Sequence, residues 1–436
     1  MQIEPLTFAR AQMAMSLGFH MVFAAIGIGL PLLLVISEAM YLRTLQSHYL
    51  QLTKKWAKAT GLLFAIGAVS GTALAFELGL LWPRYMEITG AVVGHLFALE
   101  GFAFFIEAIF IGLYLYGWDR LSPRAHWYCS IVIACSGAIS GILVLGVNTW
   151  MQLPVGFTLS PSGIVTVTDP VAILKRFGWF AMALHSTLSC YMSVGFAGAG
   201  IYAIALLRNP KSTYAKSALR ICMSVAAIAG ILQPLSGDSL AKFVFQTQPV
   251  KFAAMEMNYE TQSHAPLHVG TEKFGFKIPM MLSILADHDP KTVVKGLNEF
   301  PPENRPNVML THLAFDVMAG FGTILAGLAV IFWWTDWKKK TNYPRWLLQA
   351  ALLASPIGFI ALEAGWIVTE CGRQPWIING VLRTAQAVTP ATGLGSVFAV
   401  FTALYILLGW VVIVFMLRLR GPKETAPIPQ LHPQAI

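Results

Sequence analysis

The sequence predicts an all-α, polytopic integral membrane protein, and three observations support this fold class. Of the 436 residues, 56% are hydrophobic and only 12% are charged. The apolar residues lie in runs of about 20 or more, the length that a helix needs to cross a bilayer. The chain shows no internal repeat of the inverted kind that many transporters carry. These features exclude a soluble multidomain protein.

Nine apolar runs predict nine transmembrane helices. Their approximate limits are 15–40, 56–81, 93–117, 127–149, 178–206, 217–236, 308–334, 346–370 and 393–417. The residues before the first run contain a single positive charge, Arg10, and no small-residue cleavage pattern. We therefore expect the first helix to be retained in the mature protein.

The predicted helices divide the chain into four parts. Residues 1–236 form a membrane domain of helices one to six, and 308–417 form a second membrane domain of helices seven to nine. Between them lies the one long polar segment, 237–307. The proline-rich tail, 418–436, has the composition of a disordered segment.

Basic residues predict the orientation of the helices. They are concentrated in alternate loops, at Arg43, Lys54, Lys55, Arg120, Arg124, Arg208, Lys211, Lys216, Arg220, Lys338, Lys339, Lys340, Arg345, Arg418, Arg420 and Lys423. By the positive-inside rule these loops are cytoplasmic, so the N-terminus is outside, the C-terminus is cytoplasmic and the polar segment faces the periplasm. The net charge of +9 comes from these loops and is no sign of nucleic-acid binding.

Ionisable side chains within or at the ends of the apolar runs are the first sign of a functional site. Five stand out: His20, Glu100, Glu107, His185 and Glu370. Burying a charge in a membrane is costly, so such residues usually face a functional interior. In the predicted orientation four of the five lie in the outer half of the bilayer. A packing role can explain either histidine alone, but it explains the set poorly.

These residue types indicate a heme site. Neutral histidines and a methionine thioether, such as that of Met318, suit an electron-transfer heme, and a singly ligated heme iron leaves a position open for a gas. Copper remains an alternative from the ligand types alone. The five cysteines are scattered and form no spacing typical of a disulfide framework or zinc site.

Ordered sequence motifs connect the chain to a known family. The most specific is TECGRQPW at Thr369–Trp376, and the others are the Arg10–Gln12–His20 spacing, EGFAFFIE at Glu100–Glu107, GWDRL at Gly117–Leu121, NTWMQLPVG at Asn148–Gly156, His185, and QPVKFAAME at Gln248–Glu256. Over nearly its whole length the chain resembles subunit I of the cytochrome bd type quinol oxidases, a family that includes a cyanide-insensitive branch.

The resemblance implies three hemes. His185 and Met318 resemble the axial ligands of a low-spin heme b. Glu370 resembles the ligand of a high-spin heme b, and His20 that of the oxygen-reducing heme, which is heme d or a third heme b. The heme region of the family also includes the counterparts of three further residues, Asn148, Arg373 and Trp376.

The resemblance and the helix geometry together suggest a route for protons. From the rise per residue, Glu107 lies about 18 Å above Asp119 on helix three, and Glu100 lies about 10 Å further on nearly the same face. Ser140 is a candidate bridge between them, although a serine in a membrane helix often serves only packing. At the other end, Lys251 and Glu256 match family residues implicated in quinol oxidation, as anchor and proton acceptor, and a solvated loop is the alternative for this pair.

The expected function is that of the heme-bearing subunit of a terminal oxidase. Such an enzyme oxidises ubiquinol or menaquinol near the outer face of the bacterial inner membrane and reduces O2 to water with cytoplasmic protons, which contributes to the proton-motive force. The expected partner is a second membrane subunit, with small accessory subunits as further candidates. The alternative is a b-type cytochrome that only relays electrons from quinol to a partner.

Two positions depart from the family pattern. Asp316 stands two residues before Met318, where the family usually has an arginine, and this makes His312 a rival ligand. Glu100 and Glu107 are seven residues apart instead of the usual eight. One deletion rotates the outer part of a helix by about 100° unless a bulge absorbs it.

Overall fold

The protein is a bundle of long helices. A computed structural model describes residues 5–161, 164–271, 273–339 and 343–419. Within these ranges, nine spans are long and apolar enough to cross a membrane. The predicted fold class is confirmed. The tail beyond Leu419 lies outside the described residues, so its disorder stays a prediction.

Helices and short hairpins make up the described chain. The helices are α1 (Pro5–Thr44), α2 (Ser47–Leu81), α3 (Pro83–Tyr116), α4 (Pro123–Gln152), α5 (Phe177–Arg208), α6 (Thr213–Thr247), α7 (Pro249–Met255), α8 (Met281–Asp287), α9 (Val308–Lys339), α10 (Arg345–Ala354), α11 (Ile357–Cys371), α12 (Thr384–Ala387) and α13 (Leu394–Leu419). The strands are β1 (Phe157–Leu159), β2 (Val165–Val167), β3 (Leu267–Val269), β4 (Phe276–Ile278), β5 (Trp376–Ile378) and β6 (Leu382–Arg383). The strands pair as antiparallel hairpins, β1 with β2, β3 with β4 and β5 with β6.

Several helices extend beyond the apolar runs that predicted them. Helix α1 begins at Pro5, and α6 continues to Thr247, well past the predicted end at 236. Hydropathy detects the part of a helix that lies in hydrocarbon, whereas backbone hydrogen bonding continues into the polar region. Side-chain caps then fix some ends, as at Ser122, whose hydroxyl accepts a hydrogen bond from the Ala125 N–H.

The eighth span is two helices joined end to end. Helix α10 ends at Ala354 and α11 begins at Ile357, with Ser355 and Pro356 between them. A proline cannot donate the backbone hydrogen bond that would continue α10 through this point. Helix α11 carries Glu370 next to its last residue.

Helices α5 and α6 pack against each other at the centre of the bundle. Helix α1 packs against α2, α4 and α5, while α3 packs against α4 and α11 packs against α5 and α9. The core includes the fully buried side chains of Leu33, Leu34, Phe196 and Leu219. This packing encloses an interior space lined by residues of α1, α2, α3, α4, α5 and α11.

The polar insertion after α6 is folded and packs on the bundle. Helix α7 contacts α9, and α8 contacts the end of α6. A small core that includes Phe243, Phe252, Leu282 and Ala314 joins the insertion to these helices. The β3–β4 hairpin therefore lies against the first turns of α9.

Candidate functional site

A cavity of about 750 Å³ lies inside the bundle. This volume falls within the range of roughly 300–1,000 Å³ that is typical of small-molecule and cofactor sites. Seven residues singled out from the sequence line it together: His20, Glu100, Glu107, Ser140, Asn148, Glu370 and Arg373. Helices that are far apart in sequence thus converge on one interior space.

His20 is oriented so that one ring nitrogen can serve as a ligand. Its Nδ1 lies 3.0 Å from the Ser70 hydroxyl oxygen. When Nδ1 is engaged in this way, Nε2 is the nitrogen that can bind a metal. The ring fits closely against α2, because a Cβ on Gly71 would lie 2.9 Å from the ring carbon Cε1.

Glu370 is fixed by two neighbours at the edge of the cavity. Asn148 Nδ2 donates to Oε1 at 2.6 Å, and Arg373 Nη2 donates to Oε2 at 2.5 Å. Arg373 is 5% exposed, and its Nε and Nη1 atoms are buried without a hydrogen-bond partner. Buried donors of this kind need an acceptor. The unpartnered Nε and Nη1 donors of Arg373 therefore suit an anionic group such as a heme propionate.

Helix α3 carries both predicted carboxylates without a bulge. It is α-helical from Pro83 to Tyr116, so the seven-residue spacing of Glu100 and Glu107 is accommodated by regular geometry. The Ser140 hydroxyl donates to Glu100 Oε1 at 3.0 Å. Glu107 is 5% exposed, its Oε1 has no hydrogen-bond partner, and a Cβ on Gly137 would lie 3.1 Å from that atom. Both carboxyl groups thus face the same cavity from one helix.

Asp119 is placed apart from the other members of the predicted proton route. It is exposed in the turn after α3 and does not line the cavity. Between Asp119 and Glu107 in sequence lies Tyr114, whose hydroxyl donates to Glu38 Oε2 at 2.7 Å. His126 Nδ1 lies 2.6 Å from Glu38 Oε1, and its Nε2 lies 2.9 Å from the Tyr114 carbonyl oxygen. A buried polar cluster of α1, α3 and α4 thus occupies this end of the bundle.

Sequence reasoning missed this cluster and two further buried carboxyl groups. Glu77 is fully buried and accepts a hydrogen bond from the Ser16 hydroxyl at 2.7 Å. Glu363, two turns before Glu370, has a buried Oε1 without a hydrogen-bond partner. The signal was available, because Glu38, Glu77 and Glu363 all lie inside predicted apolar runs.

His185 and Met318 lie outside the lining of the cavity. His185 Nδ1 is 3.0 Å from the Ser236 hydroxyl oxygen, and Gln233 Nε2 is 3.2 Å from His185 Nε2. Both side chains abut glycines: a Cβ on Gly237 would lie 3.3 Å from His185 Cε1, and one on Gly365 would lie 3.0 Å from Met318 Sδ. The residue types alone, a histidine and a thioether, fit the ligand set of a low-spin heme.

Both ring nitrogens of His312 are engaged by backbone groups. It is fully buried, its Nδ1 lies 2.7 Å from the Met255 carbonyl oxygen, and its Nε2 lies 2.8 Å from the Gly270 carbonyl oxygen. Neither nitrogen is free for a metal, so His312 is no rival to Met318 as a ligand. Asp316 Oδ2 accepts a hydrogen bond from the Gly270 N–H at 2.6 Å.

Lys251 and Glu256 are both buried in the polar insertion, at 5% and 2% exposure. Lys251 Nζ donates to neutral acceptors, Gln152 Oε1 at 3.3 Å and the Thr369 carbonyl oxygen at 3.4 Å. Glu256 Oε2 has no hydrogen-bond partner. In the described chain the two side chains form no ion pair with each other.

Burial shifts the pKa values of both groups toward their uncharged forms. Loss of hydration, reinforced by the Arg373 charge and opposed by Glu370, lowers the pKa of Lys251 to about 7. Loss of hydration, reinforced by the charge of Asp316, raises the pKa of Glu256 to about 8. Groups that change charge near neutral pH are suited to exchanging protons with a substrate.

Trp376 lies next to the cavity wall without forming part of its lining. It opens β5, and the Arg383 guanidinium carbon lies 4.7 Å from the centroid of its ring. Its neighbour Gln374 accepts hydrogen bonds from Arg10 Nη2 at 3.0 Å and from the Thr384 hydroxyl at 2.8 Å. The TECGRQPW segment thus ties the end of α11 to α1 and to the β5–β6 hairpin.

The fold and the site define a class: a multi-pass membrane protein whose helices enclose a cavity lined by histidine and glutamate and suited to heme. The sequence matches the family described as Cytochrome bd terminal oxidase subunit I over residues 8–422. The chain belongs to this family. It is accordingly a multi-pass protein of the bacterial inner membrane, and heme is the cofactor that the family implies.

Relatives and a solved structure agree with this assignment. The chain is 35% identical over 428 residues to the putative cytochrome bd menaquinol oxidase subunit I of Bacillus subtilis, covering 95% of this chain and 96% of the relative. It is 32% identical over 438 residues to the cytochrome bd ubiquinol oxidase subunit 1 of the same organism, covering 95% and 93%. The bd oxidase structure from Geobacillus thermodenitrificans matches with a TM-score of 0.90 and 34% identity, covering 96% of this chain and 99% of that one.

Proposed function

We propose that this chain is the heme-bearing subunit of a terminal quinol oxidase, which oxidises quinol near the outer membrane face and reduces O2 to water. The observation that carries the proposal is the cavity that brings His20, Glu100, Glu107 and Glu370 together. An electron relay needs no such space for a gas beside proton-bearing groups. The relatives' names support a quinol as substrate and leave menaquinol and ubiquinol as the two candidates.

Quinol oxidation requires a proton acceptor, and Glu256 is proposed for this role. Each quinol releases two electrons and two protons as it becomes a quinone. The carboxylate form of Glu256 takes up a substrate hydroxyl proton, and Lys251 anchors the second oxygen of the ring. Because burial lowers the pKa of Lys251 to about 7 and raises that of Glu256 to about 8, each group can change charge near neutral pH as quinol is oxidised.

Four electrons and four protons, from two quinols and from the cytoplasm respectively, convert one O2 into two waters. Heme, when bound, supplies the electron transfer and the activation of O2. We assign His185 and Met318 to a low-spin heme b, Glu370 to a high-spin heme b, and His20 to heme d or a third heme b. Arg373 would donate charge-assisted hydrogen bonds to heme propionates from its unpartnered nitrogens.

The proposed proton route runs along α3 and α4. A proton reaches Glu107 from the side of Asp119, passes to Glu100 with help from Ser140, and enters the cavity. In the described chain no cation pairs with Glu107, so its carboxylate can take up a proton without breaking an ion pair. Tyr114, which forms a buried cluster with Glu38 and His126, lies between Glu107 and Asp119 along α3 and the turn after it. With the N-terminus outside, protons released from quinol and protons consumed by O2 lie on opposite faces.

A second membrane subunit is the proposed partner, with small accessory subunits as further candidates. Helix α3 exposes large apolar side chains, among them Phe102, Phe105 and Ile109. The side of α3 that faces the cavity carries the two carboxylates. A subunit that covered the exposed side would therefore also shield the cavity from lipid.

A visible spectrum and an oxygen electrode test the proposed function together. The purified complex should show a low-spin b band on reduction, a spectral change on adding carbon monoxide, and quinol-dependent consumption of O2. A carbon-monoxide-sensitive band in the far red would identify heme d, and sensitive b features alone would identify a third heme b. A low-spin signal that carbon monoxide leaves unchanged, without O2 consumption, would favour the electron relay instead.

A further inference from the structure

The C-terminal end of α11 is capped by side chains from two other parts of the chain. Thr369 lies in the last turn of this helix, where backbone carbonyl oxygens have no partner within the helix. Gln152 Nε2, at the end of α4, donates to the Thr369 carbonyl oxygen at 3.2 Å, and Lys251 Nζ, in α7, donates to it at 3.4 Å. The lysine stem lies against the helix end, because a Cβ on Gly372 would be 3.0 Å from Lys251 Cγ. Donors at this end, cations above all, stabilise a helix.

Gln152 connects the two partners of this contact. Its Oε1 accepts a hydrogen bond from Lys251 Nζ at 3.3 Å, while its Nε2 donates to Thr369. An ammonium can only donate and a carbonyl oxygen can only accept, so these two neighbours fix the orientation of the amide. The side chain is 1% exposed, and a buried amide needs a partner for each of its two ends. Only a side chain with both a donor and an acceptor can make these two contacts.

The end of α4 is held in return by the segment that follows α11. The Asn379 N–H donates to the Met151 carbonyl oxygen at 3.0 Å, and Asn379 Nδ2 donates to the Gln152 carbonyl oxygen at 3.1 Å. Asn379 lies in the turn between β5 and β6. The end of each helix is thus capped by a residue from the segment that carries the other. This arrangement is called the reciprocal cap below, and its members are Gln152, Lys251, Thr369 and Asn379.

The reciprocal cap lies beside Glu370. Asn148 and Gln152 are one turn apart and share a face of α4. Asn148 donates to the Glu370 carboxyl group, and Gln152 donates to the carbonyl oxygen of the residue before it. Two amides of one helix therefore hold two consecutive residues of α11. Because Gln152 fixes the backbone and Asn148 fixes the side chain, the position of the carboxyl group at the cavity depends on both.

We propose that Gln152 is a positioning residue, which caps α11 together with Lys251 and thereby holds the Glu370 carboxyl group in place at the large cavity. The inference rests on the proposed function, in which Glu370 binds a high-spin heme b. Gln152 does not line the cavity, so it acts through α11. An ammonium has three N–H donors, so Lys251 keeps one for a substrate while two serve the cap.

Two variants of the complete complex separate the two contacts of Gln152. Gln152→Met removes both the donor and the acceptor, whereas the carboxylate of Gln152→Glu keeps an acceptor for Lys251 but cannot donate to Thr369. In both variants we expect the content of high-spin heme b to fall at least twofold while the low-spin heme is retained. Deuterium uptake in 366–376 should rise at least twofold in both. Only Gln152→Met is also expected to raise the uptake in 249–256.

Steady-state kinetics with a short-chain quinol give a third readout. The kcat should fall at least fivefold in both variants, while the KM of Gln152→Glu should stay within twofold because Lys251 keeps its acceptor. The matched control is Thr149→Val in the same turn of α4. The Thr149 hydroxyl donates to the Leu145 carbonyl oxygen and to the Met182 sulfur, neither of which belongs to α11. Heme content and deuterium uptake in 366–376 are expected to stay unchanged in this control.

The readouts distinguish a positioning role from a general effect on folding. Full high-spin heme content in Gln152→Glu, or unchanged deuterium uptake in 366–376, would overturn the inference. Equal loss of the low-spin and high-spin hemes, or the same selective loss in Thr149→Val, would show a general disturbance of the bundle and would overturn it as well. If the wild-type complex consumes no O2 with quinol, the proposed function fails, and deuterium uptake still decides whether Gln152 caps α11.

Discussion

The large cavity and the polar insertion solve different physical problems with the same residue types. Around the cavity, buried groups such as Arg373 and Glu107 keep hydrogen-bonding capacity that no protein atom fills. Where α9 meets the insertion, the side chains of His312 and Asp316 are both bonded to backbone groups. The cavity in the bundle thus has polar groups left to bind a large rigid cofactor. The position of the insertion, in contrast, depends on a few side-chain contacts to the backbone.

The two regions also treat their glutamates differently. Glu370 is bonded to Arg373 and to the Asn148 amide, and these contacts hold its carboxyl group in one position. In the described chain Glu256 has no ion-pair partner, and burial together with the charge of Asp316 raises its pKa to about 8. A carboxyl group held in one position suits a ligand, and a carboxyl group that titrates near neutral pH suits proton transfer. The comparison can be tested by removing each charge in turn.

The largest effect is expected for Glu370→Gln. This substitution leaves the buried Arg373 guanidinium without its countercharge, a change that costs about 3–5 kcal/mol in comparable buried pairs. It also removes the proposed heme ligand. We expect loss of one heme from the complex and a fall of at least about 100-fold in O2 consumption, measured by heme extraction and an oxygen electrode.

Glu363→Gln provides the matched control on the same helix. Glu363 lies two turns from Glu370, does not line the cavity and has no ion-pair partner in the described chain. We expect full heme content in this variant. Equal heme loss in both variants would mean that α11 is disturbed by loss of either carboxylate. It would then give no support to Glu370 as a heme ligand.

A smaller effect is expected from Glu256→Gln, and it is seen best against pH. In the wild type the carboxylate fraction of Glu256 grows as the pH rises through about 8, so kcat for quinol should rise over the same range. Lys251 loses its charge as the pH rises through about 7, so KM should increase above that pH. The variant should lower kcat about 100-fold and abolish its rise with pH.

The control for this pH profile is Glu260→Gln. Glu260 is exposed in the same insertion and accepts a hydrogen bond from Asn298 Nδ2 at 2.8 Å. Its substitution should leave the pH profile unchanged. A rise in kcat near pH 8 that persists in Glu256→Gln would assign the proton acceptor to another group.

The smallest effect is expected for Ser140→Ala. It removes the hydrogen bond to Glu100, and a net contribution of about 0.5–1.5 kcal/mol corresponds to a roughly two- to tenfold slower proton-dependent step. Ser136→Ala is the control, because the Ser136 hydroxyl donates only to backbone carbonyls of its own helix. Steady-state O2 consumption of both variants at saturating quinol provides the measurement. Equal rates in the two variants would leave Ser140 with a packing role.

Much of the bundle could be predicted from sequence because hydropathy and helix geometry act locally. Nine apolar runs correspond to the nine candidate spans in the described part of the chain, and depth along each helix indicated that His20, Glu100 and Glu370 converge. The helix ends were less predictable. The continuation of α6 to Thr247 depends on backbone hydrogen bonding beyond the hydrocarbon, which composition does not record.

The contacts of the insertion could not be predicted in this way. The partners of His312 are backbone carbonyl oxygens 57 and 42 positions away, and backbone groups have no residue signature. A histidine beside a possible methionine ligand therefore looked like a rival ligand. Glu38 was missed for a different reason: its partners Tyr114 and His126 lie on other helices, and the motif of the family does not include it.

The buried contacts of Glu38 have a consequence for the synthesis of the protein. Helix α1 leaves the ribosome with a carboxyl group whose partners, Tyr114 and His126, are made 76 and 88 residues later. An acidic residue at the centre of a hydrocarbon core costs about 2.5–3.5 kcal/mol at membrane insertion, and Glu38, near the end of its span, costs less than that. Until α3 and α4 arrive, α1 must keep Glu38 protonated, hold it in the headgroup region, or remain beside the insertion machinery. The first helix thus becomes fully compatible with lipid only when the fourth has been inserted.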